Sequence, residues 1–153
     1  MKLLIIVVIV FVLSASSAAN IPECVCIVDP HRSPEQVKSD RRKIYDQAAA
    51  VFLGKVVSLD GYVVKFRLEK RWKGNPEDEA ILSTGAKPFP DGSLLQEECS
   101  YQFHLGEEYL VYAYLKDQKL KAYLCSTLKA KDAADEEKGL DEIKPHEVIR
   151  GIQ

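Results

Sequence analysis

The chain has no apolar run long enough to cross a bilayer. The longest, Leu3 to Leu13, is eleven residues, whereas a spanning helix needs about 20, so no permanent membrane anchor is expected. There is no Asn-x-Ser/Thr acceptor for N-glycosylation. The G-x-S-x-G, H-E-x-x-H and phosphate-loop patterns are missing, and the three histidines, His31, His104 and His146, lack metal-ligand spacing. An enzyme is therefore not expected, nor a cofactor or a metal site of its own. Neither sign of charge dominates: 21 Lys and Arg against 23 Asp and Glu leave a net charge of −2. That balance lacks the basic footprint of a nucleic-acid binder, so no nucleic-acid partner is expected.

What is present begins with an export signal. Lys2 is the only charge before Glu23, the apolar centre follows, and Ser14 to Ala19 are all small. This predicts a signal peptide over 1–19 with cleavage after Ala19, Ser17 and Ala19 being the small residues of the exit. Cleavage leaves 134 residues, with 20 basic and 23 acidic side chains. That is one domain's worth of chain, expected as a domain over 20–143 and a weakly ordered tail over 144–153. The expected location is secreted, extracellular.

In an exported chain the four cysteines, Cys24, Cys26, Cys99 and Cys125, read as two disulfides. A Cys24–Cys26 bond would close a very small strained ring, which leaves two cross-domain patterns. C-x-C is also poor spacing for a zinc site made of all four. Either pattern ties a short N-terminal C-x-C ridge to two points remote in sequence, and such a tethered ridge suits a binding or inhibitory wedge.

Ser33-Pro34-Glu35-Gln36 carries three helix-start signals: a capping Ser, Pro at the first helical position, and Gln completing a capping box. The helix is expected to run to about Gln47, with Val37, Ile44 and Ala48 on its apolar face. Lys38, Arg41, Arg42 and Lys43 are expected mostly in water, as a solvated face rather than a glycan site. The period then turns to alternation. Ala50–Leu59 is expected as a strand with a bulge or bend at Gly54, Asp60-Gly61 as a hairpin turn, and Tyr62–Trp72 as a second strand. Ala80–Thr84 is a third strand, Gly85–Glu98 a long loop and Cys99–Phe103 a short strand. Glu108–Leu115 is expected as a central strand, Leu120–Cys125 as the last, and Lys129–Ile143 as a helix. Trp72 is expected as an anchor covering one end of the barrel. The resulting fold class is mainly β, a five-stranded closed OB-fold barrel with flanking α-helices. A two-layer α+β sheet is the alternative.

Several segments together carry a family resemblance: Cys24-Val25-Cys26, then Ala50-Val51-Phe52-Leu53-Gly54-Lys55-Val56, then Arg71-Trp72-Lys73-Gly74. They are followed by Cys99-Ser100-Tyr101-Gln102-Phe103, Tyr109-Leu110-Val111-Tyr112-Ala113 and Cys125-Ser126-Thr127. In this order and spacing the chain resembles the netrin-like domain family and, within it, the tissue inhibitors of metalloproteinases, over Cys24 to about Glu137. The resemblance implies an OB-fold barrel and a pairing of Cys24 with Cys99 and Cys26 with Cys125. It also implies a mechanism, in which the amine and carbonyl of the first cysteine chelate the open position of a protease's catalytic zinc while the next side chain enters the specificity pocket. Mapped by residue, Cys24 would chelate, Val25 would fill the pocket, Cys26 and Ile27 would continue the contact, and Glu97 and Glu98 would flank it. The implied partner is an extracellular protein, a zinc metalloproteinase, bound by a monomer. Asn20 to Glu23 precede Cys24 if the leader is cut after Ala19, and the Cys24 nitrogen is then an amide rather than an amine. The alternative is an extracellular interaction or structural module without a protease target.

Overall fold

The computed structural model describes residue 26 and residues 29–74, 78–95 and 99–149. Helix α1, Pro34–Gln47, starts at the capping box: Ser33 Oγ accepts from Gln36 N at 3.3 Å, and Gln36 Oε1 accepts from Ser33 N at 2.8 Å. Two long strands follow, β1 (Ala50–Leu59) and β2 (Val63–Lys73), paired antiparallel. Between them Asp60 Oδ1 accepts from the backbone of Tyr62 and Val63, which fixes the turn. A Cβ on Gly54 would lie 2.9 Å from the Arg67 carbonyl. The pairing register shifts between Leu53 and Gly54, so this glycine lets β1 and β2 approach closely at the irregularity.

The remaining strands are β3 (Glu79–Ser83), β4 (Lys87–Pro88), β5 (Leu94–Leu95), β6 (Glu108–Lys116), β7 (Lys119–Lys121), β8 (Thr127–Lys129) and β9 (Glu147–Val148), with helix α2, Ala134–Ile143, between β8 and β9. The path β1-β2-β3-β7-β6 closes because β6 returns to pair with β1, and β3 and β7 are parallel. The result is a closed five-stranded barrel in the OB arrangement, mainly β, with β8 and β9 added at its edges and two helices outside. The β1–β6 ladder decides against the two-layer sheet.

Alternation along β1 and β6 shows why these two strands are the most apolar. Phe52, Val56, Tyr109 and Val111 point into the barrel with Phe66 of β2. Val51, Leu53, Leu110 and Tyr112 point outward and are buried again under the helices, against Tyr45, Ala133 and Leu140. A strand covered on both faces reads as a continuous apolar run. Each fully buried Val, Leu or Phe contributes about 1.5–3 kcal/mol.

The structure departs from expectation where tertiary contacts set the backbone. Cys99–Phe103 is no strand beyond one isolated bridge, Ser100 to Tyr123, because Cys99 takes a left-handed φ of 65°. The expected last strand ends at Lys121 and gives way to a 3-10 turn at Leu124–Ser126. Helix α2 starts at Ala134 rather than Lys129. Thr127–Lys129 instead forms β8 against β6, and Ala130–Asp132 makes a 3-10 turn. On α1 the buried anchor is Tyr45, whose hydroxyl donates to the Trp72 carbonyl at 2.9 Å, whereas Ile44 is exposed. Residues 144–149, placed in the expected tail, run along β2. Glu147 and Val148 pair with Arg71 and Lys70, Ile149 N donates to the Glu69 carbonyl at 3.0 Å, and Ile149 packs on the barrel core. The backbone pairing with β2, the packing of Ile149 and the Arg71–Glu147 ion pair give this segment its hold.

Candidate functional site

Cys26, the described residue of the ridge, sits where backbone around Cys99 and around Cys125 comes together on the barrel. Cys26, half-buried, is disulfide-bonded to Cys125 with Cα atoms 5.3 Å apart and 99 positions apart in sequence. Ser126 fixes the turn that holds Cys125: its Oγ accepts from Tyr123 N at 2.9 Å and donates back to the Tyr123 carbonyl at 3.1 Å. Cys99, also disulfide-bonded, lies on the adjoining segment, where its carbonyl accepts from Leu124 N at 2.8 Å. Cys125, bonded to Cys26, and Cys99 are thus neighbours in space, although remote from each other in sequence. After the ridge, Asp29 Oδ1 accepts from His31 N at 2.8 Å and Arg32 pairs with Asp40 of α1 at 3.3 Å. These contacts tie the exit of the ridge to the helix.

Beside the Cys26–Cys125 bond is a cleft of about 360 Å³ between α1, β6, α2 and the Cys125 turn. Its charges are paired with one another. Arg41 Nε lies 3.0 Å from Glu136 Oε2, an ion pair made without a well-directed hydrogen bond. Glu136 also accepts from the Tyr112 hydroxyl. Burial, reinforced by that bond to a carboxylate, pushes Tyr112 far above the usual tyrosine range, so it stays a neutral donor. The Thr127 hydroxyl, buried on the same wall, has no hydrogen-bond partner among the described residues. Among the described residues, the cleft holds an internal polar joint between the helices and the barrel.

Of the residues assigned to partner contact, Cys24, Val25, Ile27, Glu97 and Glu98 lie outside the described residues, and Cys26 is placed as above. The Cys26–Cys125 bond joins two cysteines that the resemblance pairs, and the partner it implies for Cys99 is Cys24. No group of three or more His, Cys, Asp or Glu residues among those described could hold a metal ion. The histidines stay apart: His31 and His104 are exposed, and His146 binds Asp141. Trp72 is fully buried, but it does not cap the barrel end. It lies on the outer face under the helices, where its Nε1 donates to Asp141 Oδ1 at 2.7 Å.

Sequence reading missed Arg41, which it placed in water with its neighbours. The available signal was the series Val37, Arg41, Tyr45, Ala48, which recurs at helical spacing but is masked by the polar ends of Arg and Tyr. The Arg41 guanidinium lies where a Cβ on Gly139 would stand, 2.1 Å away, so the two helices meet through an Arg on one and a Gly on the other. Compared with known protein families and curated proteins, the chain matches no family model and no curated sequence. Among the described residues, no helix is long and apolar enough to cross a membrane.

Proposed function

We propose that this is a secreted, non-enzymatic binding protein of the metalloproteinase-inhibitor type, which enters the active-site cleft of a zinc protease with its C-x-C ridge. The observation that supports this reading is that Cys125, bonded to Cys26, and Cys99, which the resemblance pairs with Cys24, lie on adjoining backbone. A segment held at two neighbouring points loses little freedom on binding, and that lowers the ordering cost of association. Cys24 would meet the zinc, Val25 the specificity pocket, and Glu97 and Glu98 the rim. Catalytic zinc keeps an open position that a neutral amine fills well.

Chelation requires Cys24 to carry a free amine. The experiment is to prepare one form beginning at Cys24 and one beginning at Asn20, confirm both N-termini by mass spectrometry, and titrate them against a panel of zinc metalloproteases. The form beginning at Cys24 inhibits better by orders of magnitude, because each 1.4 kcal/mol of lost zinc bonding is about tenfold in affinity. If neither form inhibits at micromolar concentration, the inhibitor reading is wrong. A second reading, an extracellular interaction module without a protease target, is favoured by Asn20 to Glu23 standing before Cys24. It predicts a native secreted form that begins at Asn20 and inhibits none of the panel.

A further inference from the structure

The barrel offers a second concave surface, away from the ridge. A groove of about 690 Å³ crosses β2, β3 and β7, between the β1–β2 turn at Asp60–Tyr62 and the β6–β7 turn at Asp117–Gln118. In OB-type barrels the face of the second and third strands, flanked by those two turns, is the one that takes oligonucleotides and oligosaccharides; the lining here has a different chemistry. The volume falls within the roughly 300–1,000 Å³ of small-ligand sites.

The lining has an unusual composition for a solvated barrel wall. Ile81 is 56% exposed, Leu115 64% and Tyr62 42%. The neighbours of Ile81 in β3, Ala80 and Leu82, already supply the barrel core, so Ile81 is not needed for closure. Ser83 and Gln118 add hydrogen-bonding groups. Among the described residues, Lys119 is the single cation of the lining and no carboxylate lines the groove. Lys119 is exposed and has no ion-pair partner among the described residues, while nearby Lys65 is neutralised by Glu79 at 2.8 Å. Asp117 belongs to the bordering turn but not to the lining. An apolar trough with one free positive charge complements a molecule with an apolar body and one negative head.

We propose that this groove binds a free fatty acid, its chain along Tyr62, Ile81 and Leu115 and its carboxylate at Lys119. The site is independent of the ridge and stands whether or not the protein inhibits a protease. The test uses the disulfide-intact protein labelled with nitrogen-15 and titrated with dodecanoate below its micelle concentration, with dodecanol and dodecyltrimethylammonium as neutral and cationic controls. Dodecanoate gives saturable amide shifts confined to β2, β3 and the two bordering turns, and both controls bind at least about tenfold more weakly. Lys119→Glu and Ile81→Asp, both at exposed positions, each keep the folded spectrum and weaken dodecanoate by about tenfold or more. The proposal is overturned by shifts that do not saturate at millimolar dodecanoate or that spread over the whole barrel. It is overturned equally by dodecanol binding as well as dodecanoate, by Lys119→Glu binding unchanged, or by groove shifts that follow protein concentration alone and mark a second copy as the occupant.

Discussion

Replacing Trp72 with alanine tests the claim that the helices and the barrel form one cooperative unit. The side chain is fully buried between β1, β6 and α2. Removing so large a group from a core costs about 3–5 kcal/mol. The indole also donates to Asp141 at 2.7 Å, and a bond to a charged group is worth about 1.5–3 kcal/mol. Here the low end applies, because Asp141 is 41% exposed and keeps its bond to His146. The Tyr45 bond goes to the backbone carbonyl of Trp72 and survives the substitution. Trp72→Ala is therefore expected to cost about 4–6 kcal/mol, a large part of the ~5–15 kcal/mol that stabilises a typical domain, and to lower Tm by about 10–20 °C. Trp72→Phe keeps most of the packing and is expected to cost about 1–2 kcal/mol. Trp72 is the sole tryptophan, so fluorescence is lost in both variants and the assay is guanidinium unfolding followed by far-UV circular dichroism with the disulfides oxidised. A loss under about 1 kcal/mol for Trp72→Ala, or equal losses for the two variants, would refute the reasoning.

The Arg41–Gly139 contact predicts a sign change. Gly139→Ala in the native background displaces the guanidinium from Glu136 and is neutral or destabilising, whereas in an Arg41→Ala background it stabilises by about 1 kcal/mol through helix propensity, read from a double-mutant cycle. Burial raises the Asp141 pKa, but hydrogen bonds from His146 and Trp72 outweigh it and hold the carboxyl below its usual 3.8. A depressed folded pKa means stability present above about 3.8 and lost as the pH falls through the lower folded value. Asp141→Asn is therefore less stable than the native protein at pH 7, and in denaturant titrations the gap closes as the pH falls through the lowered folded pKa. Removing the Cys26–Cys125 bond by a double serine substitution frees a loop of 99 positions, for which loop entropy gives about 4.7 kcal/mol. The Cys24–Cys99 bond that the resemblance implies would restrain much of the same loop, so the expected loss in equilibrium unfolding is nearer ~3–4 kcal/mol.

The barrel was legible because strand alternation and turn chemistry are local. Asp60-Gly61 marks its own hairpin, and the apolar runs Ala50–Leu53 of β1 and Tyr109–Ala113 of β6 fit strands buried on both faces. Ser33 and Gln36 likewise declare the start of α1 within four residues. What escaped was set by contacts distant in sequence. The left-handed Cys99, the 3-10 turn at Leu124–Ser126 and the late start of α2 all follow from a disulfide, a serine hydroxyl and the β6–β8 ladder. None of these leaves a periodic trace. The candidate site divides in the same way: its cysteines stand out in the sequence, while the adjacency of Cys99 to Cys125 and the inward turn of Arg41 exist only once the barrel has closed.

The segment that carries β9 has a consequence for how copies of this protein behave together. β3 covers β2 only as far as Arg67, while β2 runs on to Lys73. Glu147 and Val148 take up part of that remaining margin at Lys70 and Arg71. Without them the margin would offer unpaired backbone groups to any passing strand, and open margins of this kind template filaments. A form ended at Ile143 should keep its barrel and its disulfides, yet scatter light increasingly with concentration and time. Through β9 the residues after α2 are therefore expected to bear on colloidal behaviour, by leaving a β-rich molecule less open backbone on which to add to itself.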